Sequence, residues 1–171
     1  MAILEILVAP HPVLKKKALP VEEVNDEIRQ LLDDMLDTMY DAPGIGLAAP
    51  QIGVSKRVIV MDIGDEETGR SPMKMVNPEV VWESEDLASY DEGCLSFPEQ
   101  YASVDRPAEV KISYLDETGK ACEIAADGLL ATCVQHEIDH LDGITFVDHL
   151  SSLKRNVIMR KLKKIMKTKA A

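Results

Sequence analysis

The segment that most constrains this chain is 136–140, which spells His-Glu-Ile-Asp-His, an H-E-x-x-H motif. Asp127 can cap a helix over about 128–142 and Gly143 can end it, so we expect the motif to be helical. Histidines four residues apart share one helix face, where their imidazoles can hold one metal ion. The intervening Glu137 can then serve as general base for a water. The alternative is a pair of solvated histidines on a helix surface.

The two sides of this predicted helix differ in composition. At 100° per residue, one stripe mixes apolar groups with candidate ligands: Leu129, Cys133, His136 and His140. The opposite stripe is uniformly apolar and suits a core: Leu130, Val134, Ile138 and Leu141. A merely solvated face would not carry Leu129 and Cys133, so the pattern favours an active-site helix.

A catalytic metal usually has three protein ligands and one open position, and the cysteines compete for the third place. Cys133 shares the histidine stripe, but helical side chains lean toward the N-terminus, which directs its sulfur away from the metal. Cys122 falls in an alternating strand, where a buried thiol is the default. Cys94 lies in the turn-like segment 92–98. The pattern favours Cys94 only slightly, and it leaves the choice open.

The rest of the sequence predicts an α+β fold. Asn25 caps an amphipathic helix over 25–40, strand patterns occupy 57–125, and a third helix covers 151–167 with an apolar side that begins at Leu153. Helices that flank an antiparallel meander, without βαβ alternation, indicate antiparallel sheets packed around a central H-E-x-x-H helix, with an N-terminal and a C-terminal helix. A length of 171 residues fits one domain, 1–171.

Charge and hydropathy indicate where the chain works. No stretch approaches the roughly 20 apolar residues of a membrane span, and the N-terminus lacks the basic start of a signal peptide. We therefore expect a cytoplasmic monomer without disulfides or membrane contact. The net charge is −11, yet 149–171 holds no acidic residue and eight basic ones: Lys154, Arg155, Arg160, Lys161, Lys163, Lys164, Lys167 and Lys169. An acidic body with a basic tail suggests different partners for the two parts.

Three segments together resemble the motifs of the peptide deformylase family: Gly-Ile-Gly-Leu-Ala-Ala-Pro-Gln at 44–51, Glu-Gly-Cys-Leu-Ser at 92–96 and Gln-His-Glu-Ile-Asp-His at 135–140. They occur in the family's order and at its spacing, and the resemblance covers nearly the whole chain. The basic C-terminal helix is similar to that of the bacterial type. The resemblance implies hydrolysis of the formyl group from N-formylmethionyl nascent polypeptides, which releases formate and a free N-terminal methionine.

The same resemblance implies a role for each site residue. The metal ligands would be Cys94, His136 and His140. Glu137 would be the general base and then pass its proton to the departing amine. The Leu95 backbone N–H and the Gln51 side-chain amide would stabilise the negative oxygen. The substrate residues would be Gly44, Ile45, Gly46, Glu92, Gly93, Leu129 and Cys133, although Ile45 and Leu129 could equally be core residues. Thr132 and Tyr101 depart from common family residues, which leaves the preference among peptides open.

The metal and the partners remain open at this point. A Cys-His-His set is compatible with Zn²⁺, Fe²⁺, Ni²⁺ or Co²⁺, and the resemblance implies Fe²⁺ in the cell. It also implies ribosome contact through the basic helix, whereas the alternative is a helix docked on its own acidic domain. One rival function is an H-E-x-x-H metallopeptidase, whose third ligand is usually His or Glu. The other is a non-catalytic ribosome-associated module, against which the full set of site residues argues.

Overall fold

In a computed structural model that describes residues 2–170, the chain has an α+β fold with three α-helices and seven strands. The first helix, α1, spans Asp26–Asp41, close to the prediction. The Asn25 side chain accepts a hydrogen bond from the Ile28 N–H, and the acidic residues of the first turn suit the positive end of the helix.

The strands form two antiparallel sheets within residues 2–170. The larger sheet has five strands in the order β1-β2-β3-β6-β7. Its strands are β1 (Gly46–Ala48), β2 (Val58–Asp62), β3 (Pro72–Glu83), β6 (Val110–Leu115) and β7 (Ala121–Ala126). The smaller sheet is a hairpin of β4 (Leu87–Cys94) and β5 (Phe97–Pro107). The sequence predicted 92–98 only as a turn, so the length of this hairpin was missed.

The larger sheet is covered on both faces. Strand β2 is buried throughout because its side chains alternate between two helices. Val58 and Val60 pack in the cluster that contains the apolar face of α1. Ile59 and Met61 pack in the cluster that contains the apolar stripe of the motif helix. The motif helix is therefore held centrally, as predicted.

The motif helix, α2, spans Gly128–Leu141. Asp127 occupies the N-cap position, although its side chain makes no capping hydrogen bond. Gly143 follows the helix with φ 75°, and a Cβ there would lie 2.5 Å from the Lys15 carbonyl oxygen. Glycine is therefore required at this turn for both its conformation and its size.

The C-terminal helix, α3, spans Ser152–Ala170, slightly longer than predicted. Its buried residues Ile158 and Leu162 pack with Phe97, Val104 and other residues of a third cluster. Leu153, expected on the apolar side, is 72% exposed and lies outside that contact. No helix in the described part of the chain combines the length and the apolar composition needed to cross a membrane.

Candidate metal centre and active site

The ligand atoms of Cys94, His136 and His140 converge on one point. They all lie within 4.8 Å of one another, and the Cys94 Sγ is 3.3 Å from His140 Nε2. Cys94 ends β4, whereas both histidines come from one face of α2. One thiolate and two imidazoles form a donor set that suits a tetrahedral divalent ion with one open position. The residues present therefore fit a metal ion.

Glu92 orients the first of the two histidines. Its Oε1 lies 2.9 Å from His136 Nδ1, which leaves Nε2 of that ring to face the other ligands. Such a carboxylate–histidine pair fixes the tautomer and angle of a metal ligand. Burial opposes ionisation of Glu92, but hydrogen bonds from Arg106 and His136 outweigh it and lower the pKa of the carboxyl. The site thus holds an ionised, buried carboxylate behind His136.

Glu137 lies beside the ligands with a free carboxylate oxygen. Its side chain is buried, and among the described residues Oε1 has no hydrogen-bond partner. Burial raises the pKa of this carboxyl to about 7. A Cβ at Gly46 would lie 2.5 Å from Glu137 Oε2 and 3.1 Å from Cys133 Sγ. A side chain at residue 46 would therefore displace the Glu137 carboxylate from this position.

Gln51 presents its amide nitrogen to the thiol side of the site. The residue is buried in the short 3₁₀ helix Ala49–Ile52. Its Oε1 accepts a hydrogen bond from the Ala48 N–H at 2.9 Å, which fixes the orientation of the amide. Its Nε2 then lies 3.1 Å from Ser96 Oγ and 3.5 Å from Cys94 Sγ. A fixed N–H donor therefore lies next to the candidate ligands.

A cavity of about 520 Å³ opens onto this centre. Most of the predicted residues lie in its wall: Gly44, Ile45, Gly46, Gln51, Gly93, Cys94, Leu95, His136 and Glu137. Its wall also contains residues that sequence reasoning did not assign to the site: Ile6, Ala42, Pro43, Phe97, Pro98, Glu99 and Tyr101. The structure therefore brings the three motif segments together around one cleft.

Three of the predicted substrate residues lie elsewhere. Cys133 is buried, with its Sγ 3.8 Å from the Ile45 carbonyl oxygen, just behind the cleft wall. Leu129 is half exposed and does not line the cavity. The Glu92 carboxylate points to His136 and Arg106 instead of the cleft. No pattern in the sequence marked Arg106, because an arginine in a strand is usually solvated.

Comparison with known proteins decides the family. Residues 3–156 match the family described as polypeptide deformylase. The chain belongs to this family. It is 60% identical to a peptide deformylase of Phenylobacterium zucineum, over 96% of this chain and 97% of that one. It is 53% identical to a peptide deformylase of Pelagibacter ubique, over 96% of each.

Solved deformylase structures agree with the fold. A peptide deformylase from Legionella pneumophila matches with a TM-score of 0.91 and 49% identity, over 99% of this chain and 98% of that one. One from Ehrlichia chaffeensis in complex with actinonin matches with a TM-score of 0.91 and 42% identity, over 96% and 98%. As a deformylase, the chain is a metal-dependent hydrolase that removes the formyl group from nascent polypeptides. This confirms the predicted reaction over the metallopeptidase and the non-catalytic module.

Proposed function

We propose that Cys94, His136 and His140 hold the metal ion of this deformylase and that Glu137 is its general base. The observation that carries the proposal is the convergence of the three ligand atoms within 4.8 Å, with the Glu137 carboxylate buried beside them. When bound, the ion would act as a Lewis acid that polarises the formyl carbonyl. All other steps fall to side chains and amides of the chain itself.

Glu137 is suited to move the proton. Its Oε1 has no partner among the described residues, so it is free to accept a proton from the attacking water. The bond between the formyl carbon and the amine nitrogen then breaks, and Glu137 returns the proton to that nitrogen. The second proton of the water remains on the formic acid and passes from it to the amine. The products are then formate and a protonated methionyl N-terminus, and atoms and charge balance.

Two N–H groups are suited to the negative oxygen that develops on the formyl group. One is the Gln51 side-chain amide, whose orientation is fixed by the bond from the Ala48 N–H. The other is the backbone N–H of Leu95, in the turn after Cys94 that lines the cleft. Donors that are fixed before the reaction stabilise such charge without reorganisation. We therefore assign Gln51 and Leu95 to the oxyanion site.

The peptide itself would lie along the glycine-lined wall. Gly44, Gly46 and Gly93 line the cleft, where their backbone would meet an extended peptide, and Ile45 offers apolar surface to the methionine side chain. Cys133 supports this wall from behind through its contact with the Ile45 carbonyl, and Leu129 stays a prediction. For Glu92 we propose orientation of His136 in place of contact with substrate.

Ferrous iron is the ion that we propose for the cell. A thiolate with two imidazoles also accepts Zn²⁺, Ni²⁺ and Co²⁺. The ions must therefore be distinguished by the activity that each supports and not by how tightly each binds. We expect anaerobically prepared Fe²⁺ protein to release formate from formyl-Met-Ala-Ser faster than the Zn²⁺ protein, and to lose that advantage in air. Equal rates for the two forms, before and after exposure to air, would contradict the assignment.

We also propose that α3 contacts the ribosome. On one side of the helix, Ile158 and Leu162 are buried against the rest of the domain. Within the described residues, seven of its basic side chains are exposed: Lys154, Arg155, Arg160, Lys161, Lys163, Lys164 and Lys167. An exposed row of positive charge suits a phosphate-rich surface. Docking of the helix on its own domain is thus compatible with an outward basic face.

Charge reversal tests this contact. We expect Lys161→Glu, Lys163→Glu and Lys164→Glu together to weaken ribosome co-sedimentation by at least about tenfold and to flatten its salt dependence. The matched control reverses three exposed lysines away from α3, namely Lys16, Lys56 and Lys120. If the two triple variants bound ribosomes equally well, the proposed contact through α3 would be wrong.

The remaining expectations have no direct test in the structure. We propose that the chain acts as one catalytic domain over 1–171, whose end residues Met1 and Ala171 lie outside the described part. The family match over 3–156 supports this, since it spans every candidate site residue. The monomeric state and the cytoplasmic location stay predictions. All three cysteines are free thiols in the described chain.

A further inference from the structure

Arg106 joins the two elements that carry the candidate metal ligands. From β5, its Nε and Nη2 donate to the two Glu92 carboxylate oxygens at 2.7 and 2.9 Å. Its Nη1 donates to Asp139 Oδ2 at 2.7 Å. Glu92 lies two residues before Cys94, and Asp139 lies immediately before His140. One guanidinium thus ties the ligand-bearing hairpin to the ligand-bearing helix.

The hydrogen-bonded chain continues beyond Arg106 on both sides. At one end Glu92 meets Nδ1 of His136 at 2.9 Å. At the other end Asp139 Oδ2 also meets His149 Nε2 at 2.8 Å. His149 closes the short 3₁₀ helix Phe146–His149, just before α3. A continuous polar path therefore runs from a candidate ligand to the segment that leads into the C-terminal helix.

This path lies on the far side of α2 from the cleft. Arg106, Asp139 and His149 line a separate cavity of about 850 Å³, and the residues that line it include none that line the cleft. A peptide in the cleft therefore reaches none of these three side chains. Any influence that they have on the reaction must act through the hairpin and the helix that carry the candidate ligands.

The hairpin needs such a tie. No strand ladder in residues 2–170 joins the β4–β5 hairpin to the five-stranded sheet on which α2 packs. Side-chain contacts such as those of Arg106 therefore help to set the spacing between Cys94 and the two histidines. Arg106 and Glu92 are only 5% and 4% exposed at their side chains. Burying that many charges is costly unless each is paired, and here three charge-assisted hydrogen bonds compensate the guanidinium.

We propose that Arg106 is a positioning residue that, with Asp139 and His149, holds the Cys94 hairpin against the histidine helix and sets the ligand spacing before metal binds. This inference rests on the metal site proposed above. His149 extends the same support to the segment that begins α3. None of the three touches the substrate.

The test compares Arg106 with Arg57, a partly exposed arginine that donates to the Leu141 carbonyl at the end of α2. In Arg106→Gln protein, we expect a chelator to remove Fe²⁺ or Co²⁺ about ten to a hundred times faster than from the parent protein. With saturating metal, KM for formyl-Met-Ala-Ser should change by less than about twofold, because no cleft residue is altered. The matched control is Arg57→Gln, since Arg57 pairs with Asp142 at 3.0 Å and does not reach Glu92. The control should release metal at the parent rate.

Two milder variants cover the case in which Arg106→Gln fails to fold. Asp139→Asn and His149→Gln change partly exposed side chains, and each should speed metal release by about twofold to fivefold. In the metal-free protein, amide exchange over 92–97 should be faster in the Asp139, His149 and Arg106 variants than in Arg57→Gln. This exchange measurement needs no metal, so it tests the positioning role separately from the metal site. Release and exchange equal to the Arg57 control in every variant would overturn the inference.

Discussion

Replacing Glu137 with alanine should lower kcat for formyl-peptide hydrolysis by about a thousandfold to ten-thousandfold while the metal stays bound. Glu137 contributes no ligand atom to the converging set, so its loss leaves Cys94, His136 and His140 in place. It is, however, the buried carboxylate with a free oxygen beside them. The measurement is formate release at saturating peptide, together with the metal content of the same sample.

The matched control for this prediction is Glu99→Gln. Glu99 lines the same cleft but is exposed and lies on the hairpin side. Removing its charge tests whether any carboxylate in the cleft would suffice, and we expect kcat to change by less than about tenfold. Robust turnover by Glu137→Ala with a full complement of metal would refute the general-base assignment.

Replacing Cys94 with alanine should remove metal and activity together. Loss of a direct ligand should exceed the tenfold to hundredfold cost of disturbing a supporting residue, so we expect metal affinity to fall by more than about a hundredfold. The physical reason is that Cys94 supplies the one sulfur among the converging atoms. The measurement is metal content after dialysis, with formate release from the same protein.

The other two cysteines provide the controls for this experiment. Cys133 was the rival ligand on sequence grounds, but its Sγ lies near the Ile45 carbonyl and outside the converging set. Cys122 lies in β7, near Asp116. We expect Cys133→Ala and Cys122→Ala to keep their metal. Metal loss in Cys133→Ala, with retention in Cys94→Ala, would reverse the assignment.

Sequence reasoning predicted the helices better than the smaller sheet. Helix α1 and helix α2 each follow a 3.6-residue apolar pattern with recognisable ends, so local physics determines them. Of the β4–β5 hairpin, the sequence predicted the turn within 92–98 but not the length of the two strands that it joins. Eight paired residues of β4 and β5 stabilise the hairpin nonetheless, and pairing between strands is not visible in local composition.

The candidate site residues also differ in how far the local sequence determines their position. His136, Glu137 and His140 follow from the geometry of one helix, whereas Cys94 needed the family resemblance because its position depends on a distant hairpin. Arg106 could not be predicted as buried, since its burial requires two carboxylates from different elements. Glu92 was expected to contact substrate for the related reason that sequence does not show which way a strand residue points.

Formate and free amine, measured together, test the central claim most directly. Anaerobically prepared Fe²⁺ protein is incubated with formyl-Met-Ala-Ser and, separately, with casein. We predict one formate for each new methionyl amine, intact Met-Ala and Ala-Ser bonds, and no casein hydrolysis. Peptide fragments without formate, or no formate from fully metal-loaded protein, would contradict the account.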